Sequence, residues 1–334
     1  MTKPTILFIA NVNSTFVRRD IEGLKQHYNV KNLIVEQPKK FFSFLLVQTK
    51  IVFFLFSNLR KSKIVFCWFA DYHSFFPSLI SRLSGRQFYL VEGGYDTTYI
   101  SSLDYGVFSN WLRTFMSSYA IKHATRNLPV SEFLSKELKN RFGSELSIKV
   151  IPTGYDDRQY FSKEKDDFII TVAGVSSEKR LLIKGVHRVV DLARIMPDQK
   201  FVIVGIAKEL RDDINPPPNV HITEMLNNVE VSAWLSKAPV YVQFSIREGL
   251  PNSVFEAMLS ECCVVGIKHS GLKEAINGAG YLLEQWDPEK AKSIVENAIE
   301  NVDMGKRARK YVIDNFSMQR RIDLLLNLLE NSHD

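Results

Sequence analysis

Short, nearly uninterrupted apolar runs alternate with segments of helical spacing along almost the whole chain, and they do so in two series. The first opens with ILFIA (5–9), TFVRRDIEGLKQHY and VKNLIVE, and continues through KIVFCWFA (63–70), HSFFPSLISRLSG and QFYLVEGG (87–94). A helix around Phe108 to His123 leads to RNLPVS, where Ser131 is placed to cap the helix EFLSKELKNRFG and Gly143 to stop it. The second series starts at FIITVAG (168–174) and runs through GVHRVVDLARIM, KFVIVG, NVHIT, VEVSAWLSKA, PVYVQFS and CVVGIK. Runs of this kind, apolar on both faces, read as strands of a parallel sheet covered by helices on each side. The pattern predicts an α/β chain of two doubly wound units in tandem. A first domain is expected over 1–160 and a second over 161–310, with SKEKDDF between them as a linker. A C-terminal helix over 311–334 is expected to pack back toward the first domain. Sheets so built bind ligands at the carboxyl ends of their strands, so two facing sheets are expected to make a cleft.

A length of 334 residues suits two cores better than one. The three cysteines, two of them adjacent (Cys262 and Cys263), offer neither a disulfide framework nor a CxxC metal spacing, which suits a reducing cytoplasm. A net charge of +6 is a mild basic excess that favours anionic partners without naming one. The basic residues form no aromatic-interleaved patch, so nucleic acid is not an expected partner. The N-terminal MTKPTILFIANVNSTFVRRD has too short an apolar run for a signal peptide.

FFSFLLVQTKIVFFLFS (41–57) comes nearest to a membrane span, but Ser43, Gln48, Thr49 and Lys50 interrupt it, and Lys39, Lys40, Arg60, Lys61 and Lys63 bracket it. One reading is a buried helix beneath the next strand. The other is a helix over 39–63 lying on an anionic membrane surface, with aromatic and basic anchors.

REGLPNSVFEAML (247–259) carries two glutamates, Glu248 and Glu256, with Pro251 between them. Proline argues against one continuous helix, which would in any case separate the two acids by roughly 12 Å along its axis. Ser253 followed by Glu256 reads as a capping box, with the helix starting at Ser253. On that local reading Glu256 ties off a backbone N–H and Glu248 is a solvated loop charge. Position adds a second reading, because the segment follows a strand and opens a helix, where free N–H groups and the helix dipole attract phosphate. Gly249 lets a ligand approach the backbone closely. The two carboxylates suit paired sugar hydroxyls.

EGLPNSVFE resembles the Glu-x7-Glu motif of retaining GT-B glycosyltransferases of the family 4 type (glycosyl transferases group 1). The resemblance extends through LPVSEFLSKEL, IPTGYDDRQYF, IKGVHRVVDLARIMPDQKFVIVG and KRARKYVIDNFSMQRRIDLLLNLL, covering nearly all of Leu128 to Leu329. It implies the GT-B fold: two doubly wound Rossmann-like domains. It also implies metal-independent, retaining transfer from a nucleotide-diphosphate sugar, such as a UDP-sugar, to a glycan or lipid-linked acceptor in cell-envelope polysaccharide, lipopolysaccharide or glycolipid synthesis. The nucleotide sugar is then a substrate and no cofactor is implied. The expected location is cytoplasmic, peripheral at the inner face of the membrane.

Carried onto this chain, Glu256 should accept hydrogen bonds from the ribose, Glu248 should contact the donor sugar and Lys184 should hold the diphosphate. Around the donor stand Gly249, Leu250, Asn252 and Ser253, with Gly174 and Gly205 at strand ends. The family's second phosphate cation follows its strand glycine directly. Here Gly174 leads into VSSEKRLLIK, so Arg180 is the nearest candidate and Lys179 its rival. Both Lys184 and Arg180 can equally be read as solvated loop charges.

The first half departs further from that pattern. NVNST stands where the family often has a Gly-Gly turn, and EGGYD where it often places a histidine. Asp96 or Glu92 is expected to orient an acceptor hydroxyl, with Gly93 and Gly94 near the diphosphate, although EGGYD also reads as a plain turn. His73 is either a helix cap or a cleft residue. His187, His221 and His269 lack ligand-spaced partners, and no Asp-x-Asp triplet is present, so no metal site is expected. Two other functions fit the same residues: a non-catalytic GT-B-like nucleotide-binding or scaffold subunit, and a sugar-nucleotide epimerase.

Overall fold

The computed structural model describes residues 3–38 and 40–330. Lys39, one of the expected membrane-facing cations, and residues 331–334 of the expected C-terminal helix lie outside them. The chain divides into two compact units, one formed by residues up to Gly154 together with those from Met318 onward, the other by Tyr155–Ser317. Both crossings are displaced from the expected boundaries at 160/161 and 310/311. SKEKDDF is not a linker: Lys163 N and Asp166 N donate to the carbonyls of Ser236 and Lys237, which ties the stretch into the second unit.

The first unit is built on β1 (Thr5–Ala10), α1 (Thr15–Lys25), β2 (Asn29–Ile34), α2 (Phe41–Asn58), β3 (Ser62–Trp68), α3 (Phe75–Ser84), β4 (Gln87–Glu92), α4 (Trp111–Lys122), β5 (Arg126–Pro129) and α5 (Glu132–Phe142). Its strands form a five-stranded sheet in the order β2-β1-β3-β4-β5, parallel throughout. Alternate residues of the central strands (Leu7, Ile9, Val65, Cys67, Phe88, Leu90) form one core with Ile51 and Leu55 of α2, Ile80 of α3, and Ala120 and Ile121 of α4. Those three helices therefore cover one face of the sheet. Ser131 caps α5 as expected, its hydroxyl accepting from Leu134 N at 3.3 Å.

The second unit contains β6 (Ile169–Val175), α6 (Glu178–Lys184), α7 (Val186–Ile195), β7 (Phe201–Ile206), β8 (Val220–Ile222), α8 (Asn228–Lys237), β9 (Val240–Gln243), α9 (Asn252–Leu259), β10 (Cys263–Ile267), α10 (Ser270–Ile276), β11 (Tyr281–Leu283), α11 (Pro288–Glu300) and α12 (Val302–Phe316). Its sheet has six strands in the order β11-β10-β9-β6-β7-β8, again parallel.

The expected single C-terminal helix is two helices. Ser317 is extended (φ −66°, ψ 151°) and ends α12, and α13 (Met318–Glu330) starts afresh. α13 packs on α1 within the first unit. Arg321 and Asp20, with side chains 2% and 1% exposed, form an ion pair at 2.6 Å between them. Gly23 of α1 leaves no space for a Cβ beneath Ile322, which brings the two helices together.

Helix α2 is not the buried helix of the first reading. Only Gln48, Ile51 and Leu55 are buried, while Phe41, Phe42, Phe53 and Phe56 are 74%, 71%, 72% and 66% exposed.

Candidate functional site

The carboxyl ends of β6, β9 and β10 and the starts of α9 and α10 gather most of the expected donor residues in the second unit. VSSEKRLLIK, read as a loop, forms α6, which places Arg180 and Lys184 four residues apart on one helical face. Lys179 falls outside that register and is exposed. Gly185 ends α6 in the left-handed region (φ 66°), and a Cβ there would collide with the carbonyl of Phe244. Only glycine satisfies both demands, and the close approach sets Lys184 beside the end of β9.

There Lys184 Nζ lies 2.8 Å from Glu248 Oε1, with the two side chains 18% and 12% exposed. Gln243 Nε2, from the end of β9, donates to the same oxygen at 2.7 Å and to Ser245 Oγ at 2.9 Å. Gln243 Oε1 accepts from the Tyr241 hydroxyl and from Ser253 Oγ at 3.1 Å. Burial raises the Tyr241 pKa above its ordinary value, so this phenol remains a proton donor at neutral pH. The Gln243 amide thus has a partner for every donor and acceptor, and it can hold Glu248 in one orientation.

The backbone of Glu248 is fixed from its other side. Its N–H donates to Ser270 Oγ at 3.2 Å, and its carbonyl accepts from Gly271 N at 3.0 Å. A Cβ on Gly271 would strike the Gly249 carbonyl, so the loop rests directly on the start of α10.

The expected capping box does not form. Helix α9 begins at Asn252 with Pro251 as its N-cap, and no side chain caps it. Proline there ends the loop in extended backbone two residues earlier than the Ser-x-x-Glu pattern requires. Ser253 therefore sits in the first turn and points to Gln243 and Tyr241. Glu256, one turn further on, accepts from the Tyr160 hydroxyl at 3.1 Å and remains partly exposed. Asn252 Oδ1 accepts from the Tyr155 hydroxyl at 2.6 Å. Leu250 is 6% exposed, so its side chain belongs to the core.

Gly174 and Gly205, on the adjacent strands β6 and β7, both adopt positive φ (58° and 88°). A Cβ on Gly174 would meet nothing within 4 Å, so open space lies above that strand end. Lys184, Glu248, Ser253 and Glu256 are thus collected in one unit by three strand ends. Gln243, Tyr155 and Tyr160 join them unforeseen. Gln243 was the visible signal, as the polar residue in an otherwise apolar strand.

The candidates of the first unit take another form. Asp96 is 1% exposed and Glu92 is 0% exposed, so neither carboxylate is open to an acceptor hydroxyl in this structure. Asp96 instead accepts from the N–H groups of Ala70, Gly93 and Gly94 at 2.7 to 3.2 Å, which locks the loops after β3 and β4 together. Burial raises its pKa to about 6. Glu92 is pushed well above the carboxylate range by burial first and by the nearby Asp96 second, and neither of its oxygens has a hydrogen-bond partner. Gly94 takes φ 134°, a glycine-only conformation, and Gly93 packs on the Phe69 ring with no room for a Cβ.

His73 is fully buried, its Nε2 2.7 Å from the Trp68 carbonyl, and it caps no helix. Unforeseen beside it is a bidentate pair between Arg113 and Asp71, with the guanidinium 5.4 Å from the centre of the Tyr95 ring.

Residues 155–314 match the model of the family described as Glycosyl transferases group 1. Trehalose synthases from Thermococcus litoralis and Pyrococcus furiosus are each 29% identical over a region covering 44% of this chain and 41% of theirs, so the chain spans about two fifths of the length of these curated relatives. Among solved structures, the sucrose-phosphate synthase of Thermosynechococcus elongatus superposes with a TM-score of 0.81 at 13% identity, covering 99% of each chain. Anabaena HepE in complex with UDP-glucose gives 0.75 at 16% identity, covering 98% of this chain and 99% of that one. The chain has the GT-B fold, and its second unit, where Lys184, Glu248 and Glu256 lie, matches the group 1 glycosyltransferase family almost from end to end.

Proposed function

We propose that this chain is a glycosyltransferase that moves a sugar from a nucleotide-diphosphate sugar to a glycan or lipid-linked acceptor, without a metal ion and with retention of anomeric configuration. The carrying observation is the joint placement of Lys184, Glu248 and Gln243 beside the start of α9. A cation, a fixed carboxylate and a helix N-terminus that no side chain caps match the three parts of such a donor: diphosphate, sugar hydroxyls and leaving-group charge. The Lys184 ammonium has three N–H donors, and Glu248 takes one of them, leaving others for phosphate. Arg180, on the same face of α6, is the second phosphate cation. Glu256 takes the ribose hydroxyls, with Tyr160 holding its carboxylate.

During transfer the bond between the anomeric carbon and the diphosphate oxygen breaks, and a bond from the acceptor oxygen to that carbon forms on the same face. The electron pair of the broken bond stays on the diphosphate, where Lys184, Arg180 and the α9 terminus stabilise it. The acceptor proton passes to the departing phosphate, so no side-chain nucleophile is needed. A UDP-sugar is the preferred donor class, because HepE, which shares this fold, was solved with UDP-glucose. The free, buried cysteines Cys67, Cys262 and Cys263 suit a cytoplasmic location.

The test is nucleoside-diphosphate release from a panel of UDP-, GDP- and ADP-sugars, with product anomers assigned by NMR. Release that needs an acceptor and survives chelator supports the reading. Tight nucleotide binding without turnover for any donor would replace it with a nucleotide-binding subunit.

A further inference from the structure

Helix α2 carries two apolar stripes where an ordinary surface helix has one. The first, Ile51 and Leu55 with the polar Gln48 buried beside them, is packed against the first sheet. The second, Phe42, Leu45, Leu46, Phe53 and Phe56, recurs at spacings of three, four and seven residues on the far side of the helix. It is exposed throughout, from 45% at Leu45 to 72% at Phe53. The helix is long and apolar enough to cross a membrane, but Ile51 and Leu55, both 0% exposed, fasten it along the unit.

Charge identifies the partner. Between residues 40 and 63 there is no Asp or Glu, while Lys40, Lys50, Arg60, Lys61 and Lys63 are all exposed. The neighbouring helices extend the same layer. Phe44 of α2 lies 6.1 Å from Tyr72, and Phe75 of α3 lies 5.8 Å from Phe115 of α4. Trp111 and Phe115 of α4 are 79% and 58% exposed. An apolar stripe with aromatic anchors and, within residues 40–63, cations as its only charges suits an anionic lipid surface, which takes rings at headgroup depth and lysines at the phosphates. A second copy of this chain would set five cations against five.

We propose that α2, with the first turns of α4, docks the first unit on an anionic phospholipid bilayer. The proposal deepens the lipid-linked branch of the acceptor reading, but the docking itself is measured without any sugar transfer. The full chain is sedimented with phosphatidylcholine vesicles with and without roughly 30 mol% phosphatidylglycerol, at low and high salt. Binding to the anionic vesicles alone, weakened by salt, is the expected result. Phe53→Ser with Phe56→Ser should cut the bound fraction about tenfold or more, and Lys61→Gln with Lys63→Gln should flatten the salt dependence.

Intrinsic fluorescence should be quenched by brominated lipid in the wild type, and less so in Trp111→Phe. Thermal unfolding of the full chain, compared with the wild type, serves as the control for folding in every variant. No binding to anionic vesicles at low salt would overturn the proposal. So would a dimer in solution that Phe53→Ser and Phe56→Ser convert to monomer, because the face would then be a protein interface. Sugar transfer to a soluble acceptor with no vesicle binding would remove docking and leave the catalytic reading standing.

Discussion

Glu248 Oε1 accepts from Lys184 Nζ at 2.8 Å, and the two side chains are only 12% and 18% exposed. The pair joins the two halves of the proposed donor site: the lysine answers to the diphosphate and the glutamate to the sugar. Their removal should therefore produce different losses. Lys184→Met should lower kcat by about a hundredfold to a thousandfold, the range for losing one preorganised contact to developing charge. It should also weaken binding of the free nucleoside diphosphate. Glu248→Gln preserves the hydrogen bond from Gln243 while deleting the charge, so it should depress kcat and leave nucleoside-diphosphate affinity nearly unchanged. Steady-state kinetics with calorimetric titration of the diphosphate separates the two. Unchanged diphosphate affinity in Lys184→Met would remove that residue from the phosphate site.

Gln243 holds Glu248 without carrying charge, and its four hydrogen bonds make it a positioning residue. Gln243→Leu leaves the Ser253 hydroxyl without its acceptor, although Tyr241 still donates to Ser253, and releases the Glu248 carboxylate. The expected cost is about 1–3 kcal/mol for the polar groups left unpaired, read from urea unfolding. Gln243→Glu instead sets two carboxylates face to face. Its activity should recover as pH falls and one of them takes up a proton, whereas Gln243→Leu should show no such recovery. That difference in pH profile distinguishes orientation of Glu248 from simple support of the fold.

The strand-and-helix alternation was readable because parallel strands buried on both faces must be apolar throughout, and ILFIA, KFVIVG and CVVGIK are. The place of REGLPNSVFEAML after the strand PVYVQFS singled out Glu248 and Glu256, and the family resemblance singled out Lys184. Registration within a single turn was not readable. Ser253 and Glu256 have capping-box spacing, yet the cap falls on Pro251, and that two-residue shift removes the box. EKRLLIK is only seven residues long, too short for its periodicity to declare a helix, so α6 looked like a loop. Glu92 and Asp96 show a third limit. A strand-end acid has the same sequence signature whether it faces solvent or sits beneath two glycines. For α2 the composition revealed its apolarity, but not that one stripe of it would find no protein cover.

The Asp20–Arg321 pair is fully enclosed. Asp20 also accepts from Trp68 Nε1 at 2.7 Å, and Arg321 Nη1 donates to the carbonyls of Ile151 and Pro152 at 2.8 and 2.7 Å. Arg321→Met leaves a buried carboxylate without its counter-charge and should destabilise the first unit by about 3–5 kcal/mol. Replacing both partners, Asp20→Leu with Arg321→Met, should recover part of that loss, because no charge is then stranded. Recovery should stay incomplete, since Trp68 and the two carbonyls still lose their partners. Thermal unfolding of the two single variants and the double variant measures the coupling. Additive effects of the two changes would show that the pair contributes no specific interaction.

Glu92 and Asp96 bind protons more tightly in the folded chain than in the unfolded one, both through burial. For Asp96 the pKa rises from 3.8 to about 6. Its contribution to stability is complete below pH 4 and is lost as pH rises through 6, by on the order of 3 kcal/mol. Glu92 acts in the same direction, its stabilisation falling away as pH rises above the unfolded carboxylate value. His73, lowered by burial despite the adjacent Asp71, acts in the opposite direction. Its unfolded form takes up a proton below about 6.5, so stability falls as pH drops through that value. Two acids acting one way outweigh one histidine acting the other, so the first unit should melt lower as pH rises from 5. Glu92→Gln substitutes a neutral isostere that cannot ionise in the unfolded chain. It should therefore raise the Tm across pH 5 to 8.5 and make its decline with pH shallower. Tm values measured from pH 5 to 8.5 on both proteins test this, and a wild-type Tm that climbs steadily across the range would contradict it.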